Sequence, residues 1–555
     1  MENLQSIVSV PAHHTVGGAC WARLFAIVSP KGTTSLSTHW QYPGMAPTFC
    51  NRCDPLDELA ELDELSERLR LKRYDLKRKI NQFHSPIVRQ LPPDVMSTIF
   101  ESCLPDFADH QPSFTVYPKE NRFKTLSIPL SLGAICSYWR EIAWSTPSLW
   151  SSLVVCVSSE LDSHMGTSIA REWLARSGQL PLSIRIYSKP RSKKAVSALA
   201  DIINQYSARW YDLDLCIPDH CYQHFHATGN HAPILKFIRF SCIDYMDFKF
   251  QLTCPRLERA CLSFFLVGGT NIQWDNLTHL TLRYILVDDS FLILRKTPRL
   301  VFCSVTSAFK PNGRIGAIVL TSLRSLQLPT TNLASFFLDN IIAPHLEELS
   351  LPCHYSPSME DIASFLRRSA CSLRSFSIPF SNYPPYIERF MNLLQSIPSL
   401  NTLSLISVTS PKYNGDITPE DCHPRNILQL VAKVLSSQTT SLQQGFLPNL
   451  KTLEYTGMLR LRPGNYSDLY SLPPVDNALH GPFHLLKLDL HPATRIPENM
   501  ISYISSLVER GVTVKVLSDS EDILQSSIDY NRLKKDFLCR DWADNLDLSL
   551  FWGVC

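Results

Sequence analysis

The chain reads as a mixed α/β protein in which a helical N-terminal part precedes a long repeat array built on a parallel sheet. Three observations predict this. A six-residue pattern, L-x-x-L-x-L, recurs in eleven variants between Trp210 and Leu490. Two short stretches of helical period, bounded by prolines, come before it between Ser85 and Leu153. Ahead of both, residues 54–83 carry leucines at three-and-four spacing, the stripe of one amphipathic helix.

Residues 1–53 hold turn formers and polar residues without sustained periodicity and are expected to be poorly ordered. Cys50-x-x-Cys53 lacks the second ligand pair that a zinc site needs. From Asp54 the composition changes. Leu56, Leu59, Leu62, Leu65, Leu69 and Leu76 line one side of the predicted helix, and Asp54 before Pro55 suits an N-cap. Acidic residues crowd its first half and basic residues its second, as the helix dipole favours. Its leucine stripe needs cover, either from the rest of the chain, the favoured expectation, or from a second helix in a short coiled coil.

Residues 84–155 form the next unit. Leu91-Pro92-Pro93-Asp94 opens a helix, because proline fits a first turn whose N–H groups have no partner. Val95, Ile99 and Cys103 then recur at four-residue spacing with Phe100 beside them, before Leu104 and the stop at Pro105. A second helix carries Leu132, Ile135, Cys136, Trp139 and Ala143 on one stripe, with Ile142 at its edge, and Pro147 ends it ahead of Leu149-Trp150. Trp139 and Trp150 are open to two assignments, as core residues or as anchors for a partner.

The order Leu91-Pro92-Pro93-Asp94-Val95, Ile99-Phe100, Cys136, Trp139-Arg140, Ile142-Ala143, Pro147, Leu149-Trp150 resembles the F-box, in the form found in mushroom-forming fungi (basidiomycetes). An insert at about 106–127 departs from a compact F-box; a surface loop tolerates such length. The resemblance implies docking on the Skp adaptor of a cullin–RING ubiquitin ligase. It assigns the adaptor contact to Leu91, Pro92, Val95, Ile99, Phe100, Leu104, Cys136, Trp139, Ile142, Leu149 and Trp150.

After Trp150, Leu153–Val157 is a short β-rich run. Ile169 to Leu174 reads as helix stopping near Gly178, and Pro181–Ile186 alternates like a strand. The repeat motifs begin at 210, 235, 257, 277, 300, 323, 346, 373 and 400, and after a longer gap at 450 and 485. Their spacing is close to the 20–29-residue period of a leucine-rich repeat. Each unit would supply a strand and a return segment, with Met359–Ser369 and Ile387–Ile397 as return helices, so that only stacking buries the apolar side. The gap between 400 and 450 holds a helix, Ile427–Leu435, and marks a missed repeat or an insertion. Residues 165–518 are therefore expected to form an irregular leucine-rich-repeat-like solenoid, and 519–555 a cap or tail.

A formal net charge of +2 in 555 residues gives no electrostatic footprint for nucleic acid or membrane. No apolar run approaches bilayer length, and 17 scattered cysteines fit reduced thiols of cytosol or nucleus. No phosphate loop, nucleophile elbow or zinc-protease motif occurs. Asp219, His220, Cys221, His224, His226 and His231 cluster without zinc-like spacing and read as a polar loop. The expected function is that of a non-catalytic substrate receptor without cofactor or metal, joining the Skp adaptor to an unknown target protein on the repeat face. The alternative is a repeat scaffold whose F-box-like helices only cap the array.

Overall fold

The computed structural model describes residues 54–84, 91–104, 128–157, 163–188, 193–242 (except 228 and 230), 250–351 (except 307, 310–314 and 329–332), 358–380, 384–407, 446–457, 483–490, 496–518 (except 497 and 510) and 521–538. The sequence expectations for 1–53, for the insert at 106–127 and for a helix at 427–435 lie outside these residues. Contacts divide the chain into residues 1–79 and 80–555.

Helix α1 spans Asp54–His84. Every side chain described along it, from 58 to 80, is exposed, the leucines included.

In the second unit, α2 (Pro93–Ser102) starts after Pro92, as its prolines dictate. The single helix expected around Leu132 to Ala143 is two: α3 (Ile128–Ile135) and α4 (Ser137–Ser145). Cys136 breaks them. It is extended (φ −155°, ψ 172°), and its Sγ accepts a hydrogen bond from the Trp139 N–H at 3.4 Å, capping α4. A 3-10 turn, Pro147–Trp150, leads into the sheet.

Fifteen strands form one open sheet in which spatial order equals chain order. They are β1 (Ser152–Val157), β2 (Leu182–Ser188), β3 (Trp210–Ile217), β4 (Phe237–Cys242), β5 (Arg259–Ser263), β6 (His279–Arg283), β7 (Phe302–Val305) and β8 (Ser325–Gln327). The rest are β9 (Glu348–Ser350), β10 (Ser375–Phe380), β11 (Thr402–Ser407), β12 (Thr452–Gly457), β13 (Leu485–Leu490), β14 (Thr513–Ser518) and β15 (Glu521–Asp522). All neighbours run parallel except β14–β15. After β15 comes a helix, Leu524–Leu538, in the stretch expected to be a cap.

The motif explains the register. Its first leucine lies two residues before the strand and closes a turn, with its N–H donating to the carbonyl three residues back, as in Leu257 to Cys254, Leu300 to Thr297 and Leu400 to Ile397. Proline stands at the second turn position of all three, at Pro255, Pro298 and Pro398, where its fixed φ suits the turn. The fourth motif position then aligns across the whole sheet. The row runs from Leu153 through Ile184, Leu213, Ile238, Ala260 and Leu280. It continues through Cys303, Leu326, Leu349, Phe376, Leu403, Leu453 and Leu486 to Val514. All are buried, because successive strand residues face opposite sides.

The register also corrects one unit. Leu453 pairs with Leu486, so Phe483, buried, holds the first motif position and Leu485 faces outward.

The segments between strands vary. Helices occupy Val287–Leu294, Ala334–Asn340, Met359–Ser369 and Pro384–Gln395, the third as the sequence predicts to the residue. The two shortest steps, 235 to 257 and 257 to 277, hold short parallel strands, Phe250–Leu252 and Thr270–Ile272. No helix among the described residues is long and apolar enough to cross a membrane.

Candidate functional site

Two surfaces can act. The first is the helical module. Met96 and Phe100, one turn apart on α2, are buried, and the Phe100 ring lies 5.0 Å from that of Trp139 on α4. The Ser97 and Thr146 hydroxyls meet at 2.9 Å, and Ser148 donates to the Glu101 carboxylate, so α2 is pinned to the 3-10 turn. With Met96 and Phe100 turned inward, Val95 and Ile99 are left outward at 39% and 38% exposure, and Ile135 at the end of α3 at 55%.

The eleven residues assigned to the adaptor contact therefore separate. Pro92, Val95 and Ile99 are exposed; Leu91, Leu104, Cys136 and Trp139 are partly buried; Phe100, Ile142, Leu149 and Trp150 are core. The last four are a correction, since a side chain with 0–4% exposure has no surface to offer a partner.

Trp150 shows why. It donates Nε1–H to the Ala143 carbonyl at 2.7 Å and meets Trp173 edge-on at 4.7 Å, with the Arg176 guanidinium 5.0 Å from its ring centroid. Trp210 makes the same link to Ile203, also seven residues back. Both tryptophans stand three residues before a buried leucine of the aligned row, Leu153 and Leu213. Trp150-x-x-Leu153-x-Val155 is thus a further copy of the repeat motif with tryptophan in its first position. Comparing it with Trp210-x-x-Leu213-x-Leu215 would have shown this from sequence. Ile135 was missed as a surface residue because an unbroken helix puts it on the buried stripe.

The second surface is the outward face of the sheet, formed by motif positions three and five. At its N-terminal end Arg185, Asp214 and Arg239 are neighbours in register on β2, β3 and β4. Asp214 accepts from Arg239 Nη1 at 2.8 Å and from the Tyr187 hydroxyl at 3.2 Å, and Arg185 Nη2 is 3.8 Å from Asp212. The cluster alternates two arginines with two aspartates, so its charges cancel in pairs. Burial raises the Asp212 carboxyl to about 6, opposed by Arg185 and reinforced by Asp214. Burial, and then the nearby Asp214, also push the Tyr187 hydroxyl up. Further along, the same row carries Thr281, Ser304, Gln327, Ser350, Ser377 and Ser404, then Glu454, Lys487 and Lys515. Arg185, Asp214, Cys261 and Ser304 of this row are buried, so its accessible hydrogen-bonding part runs from Thr281 to Lys515 and carries its charge at the C-terminal end. The ionic cluster was not singled out in the sequence, yet Arg185, Asp214 and Arg239 all fall at the fifth motif position of consecutive units.

The histidine-rich stretch folds as a 3-10 segment, Asp219–His224, with Asp219, Cys221 and Tyr222 buried. Among the described residues no three His, Cys, Asp or Glu side chains are placed to hold a metal ion.

No protein-family model matches the chain, and no curated protein matches it.

Proposed function

We propose that the protein is a substrate receptor of a Skp–cullin–F-box ubiquitin ligase, with residues 84–155 as an F-box and 165–518 as an irregular leucine-rich-repeat-like solenoid. The observation that carries the proposal is the F-box-like motif folded into short helices with Pro92, Val95, Ile99 and Ile135 left exposed. Apolar residues held outward by a rigid helix are suited to anchor a partner. The parallel strands in chain order, at the spacing of the repeated motif, support the solenoid. The accessible part of the outward row, from Thr281 through Gln327, Ser350, Ser377, Ser404, Glu454 and Lys487 to Lys515, is the surface proposed for the target protein.

In this role the chain makes and breaks no bonds. It raises the effective concentration of a target lysine near the transferring enzyme. The interior thiols Cys254 and Cys303 fit a reducing, intracellular setting.

A scaffold reading, with the helices as a cap, is favoured by one observation: Leu149 and Trp150 point into the core. The two readings part on adaptor binding. Co-expression of the full chain with the Skp adaptor is expected to yield a complex that a cullin N-terminal domain captures. A full chain that purifies folded and without adaptor would leave the scaffold.

A further inference from the structure

Helix α1 presents a surface that the adaptor contact does not use. Leu62, Leu65, Leu69 and Leu76 fall on one heptad seam, and each keeps 47–58% of its surface exposed. A seam of this kind is stable in water when another helix covers it. The charges say which helix fits. Residues 54–67 hold seven acidic and no basic side chains; residues 68–79 hold seven basic and one acidic. The seam itself is interrupted in the basic half, where Lys72 and Lys79 stand at seam positions.

We infer that α1 pairs antiparallel with the same helix of a second copy of this chain. Antiparallel pairing sets each acidic half against the partner's basic half, with Lys72 and Lys79 on the basic side. Parallel pairing stacks acid on acid and base on base, which costs free energy along the whole length. Within one helix the charges are only partly used: Glu67 pairs with Arg70 at 2.6 Å and Asp75 with Lys79 at 2.8 Å, both fully at the surface. Arg68 also lies 3.9 Å from Glu64, and the described acidic and basic side chains outside these three pairs face the solvent. The consequence is a dimeric receptor or scaffold whose pairing is independent of whether the adaptor binds.

The test uses the full chain. Sedimentation equilibrium should give twice the 63.0 kDa chain mass, and Leu62→Asp/Leu69→Asp should give the single mass while the cooperative melting of residues 80–555 is retained and the helical signal of α1 falls. Glu61→Lys/Glu64→Lys should weaken dimerisation about tenfold or more, and so should Lys77→Glu/Arg78→Glu, while an equal mixture of the two variants should pair again. A photo-cross-linker at position 61 should capture residues in the 72–79 region of the second copy. A monomeric wild type would overturn the inference, as would cross-links to residues 58–64. Charge-reversed variants that dimerise as tightly as the wild type would also overturn it.

Discussion

Replacing Trp150 by alanine tests whether this residue is core or contact. Its indole is 1% exposed, wedged between the Ala143 carbonyl on α4 and the Trp173 ring on Ser163–Arg176. Truncating a buried aromatic of this size costs about 3–5 kcal/mol through lost burial and the cavity left behind. The Ala143 carbonyl also loses its donor, and a buried unsatisfied acceptor costs about 1–3 kcal/mol where water cannot reach it. These contributions overlap, so a total of about 4 kcal/mol is expected. Urea unfolding of the full chain, followed by far-UV circular dichroism, should show the loss in the transition that includes α4 and β1. Hydrogen exchange should localise it to residues 137–157. Val95→Ala, on the exposed face, should cost less than about 1 kcal/mol. A change below about 1 kcal/mol for Trp150→Ala with unaltered exchange would refute the packed assignment and return Trp150 to the surface.

Two further substitutions have defined signs. Ala370 ends Met359–Ser369 in the left-handed region (φ 49°, ψ 34°), so Ala370→Gly should stabilise by about 0.5–1 kcal/mol in the same urea assay, and a loss would contradict the conformation. Asp212 has its folded-state carboxyl raised to about 6 against an ordinary 3.8, so the folded state holds its proton longer than the unfolded chain as pH rises. Its contribution is therefore most favourable below about pH 4 and is lost through pH 6, with an upper limit of about 3 kcal/mol. Asp212→Asn should gain stability relative to the wild type as pH goes from 4 to 7, and a constant difference across that range would show that the carboxyl is not raised.

The parallel sheet was legible because the sequence signal for its strands is redundant. A single L-x-x-L-x-L is ambiguous, but Leu257, Leu277, Leu300, Leu323 and Leu346 recur in one phase, and each closes the turn before a strand or stands buried beside it. Where the redundancy failed, so did the assignment. Leu485-Leu486 offers two phases, and only pairing with Leu453 selects the second. Trp150 sits where two patterns overlap, the end of the F-box-like motif and the start of the first strand unit, and burial decided for the strand unit. The break at Cys136 was hidden because the apolar stripe continues through it with helical period. For α1 the sequence showed the stripe but not its cover, since cover is a tertiary fact and a second chain can supply it. The ionic cluster escaped notice because Arg185, Asp214 and Arg239 are about 25 to 29 residues apart in sequence and meet only through strand register.

The most direct test of the proposed receptor role is the affinity of the full chain for the Skp adaptor, compared with Val95→Asp/Ile99→Asp. Both side chains are exposed on α2, so the double variant should keep the wild-type melting curve. Two buried charges at the centre of a docking surface should lower affinity by a hundredfold or more, using about 2 kcal/mol or more for a contact of this kind. Wild-type binding with that loss supports an F-box. Absence of binding by the folded wild type, or equal binding by the double variant, would contradict it.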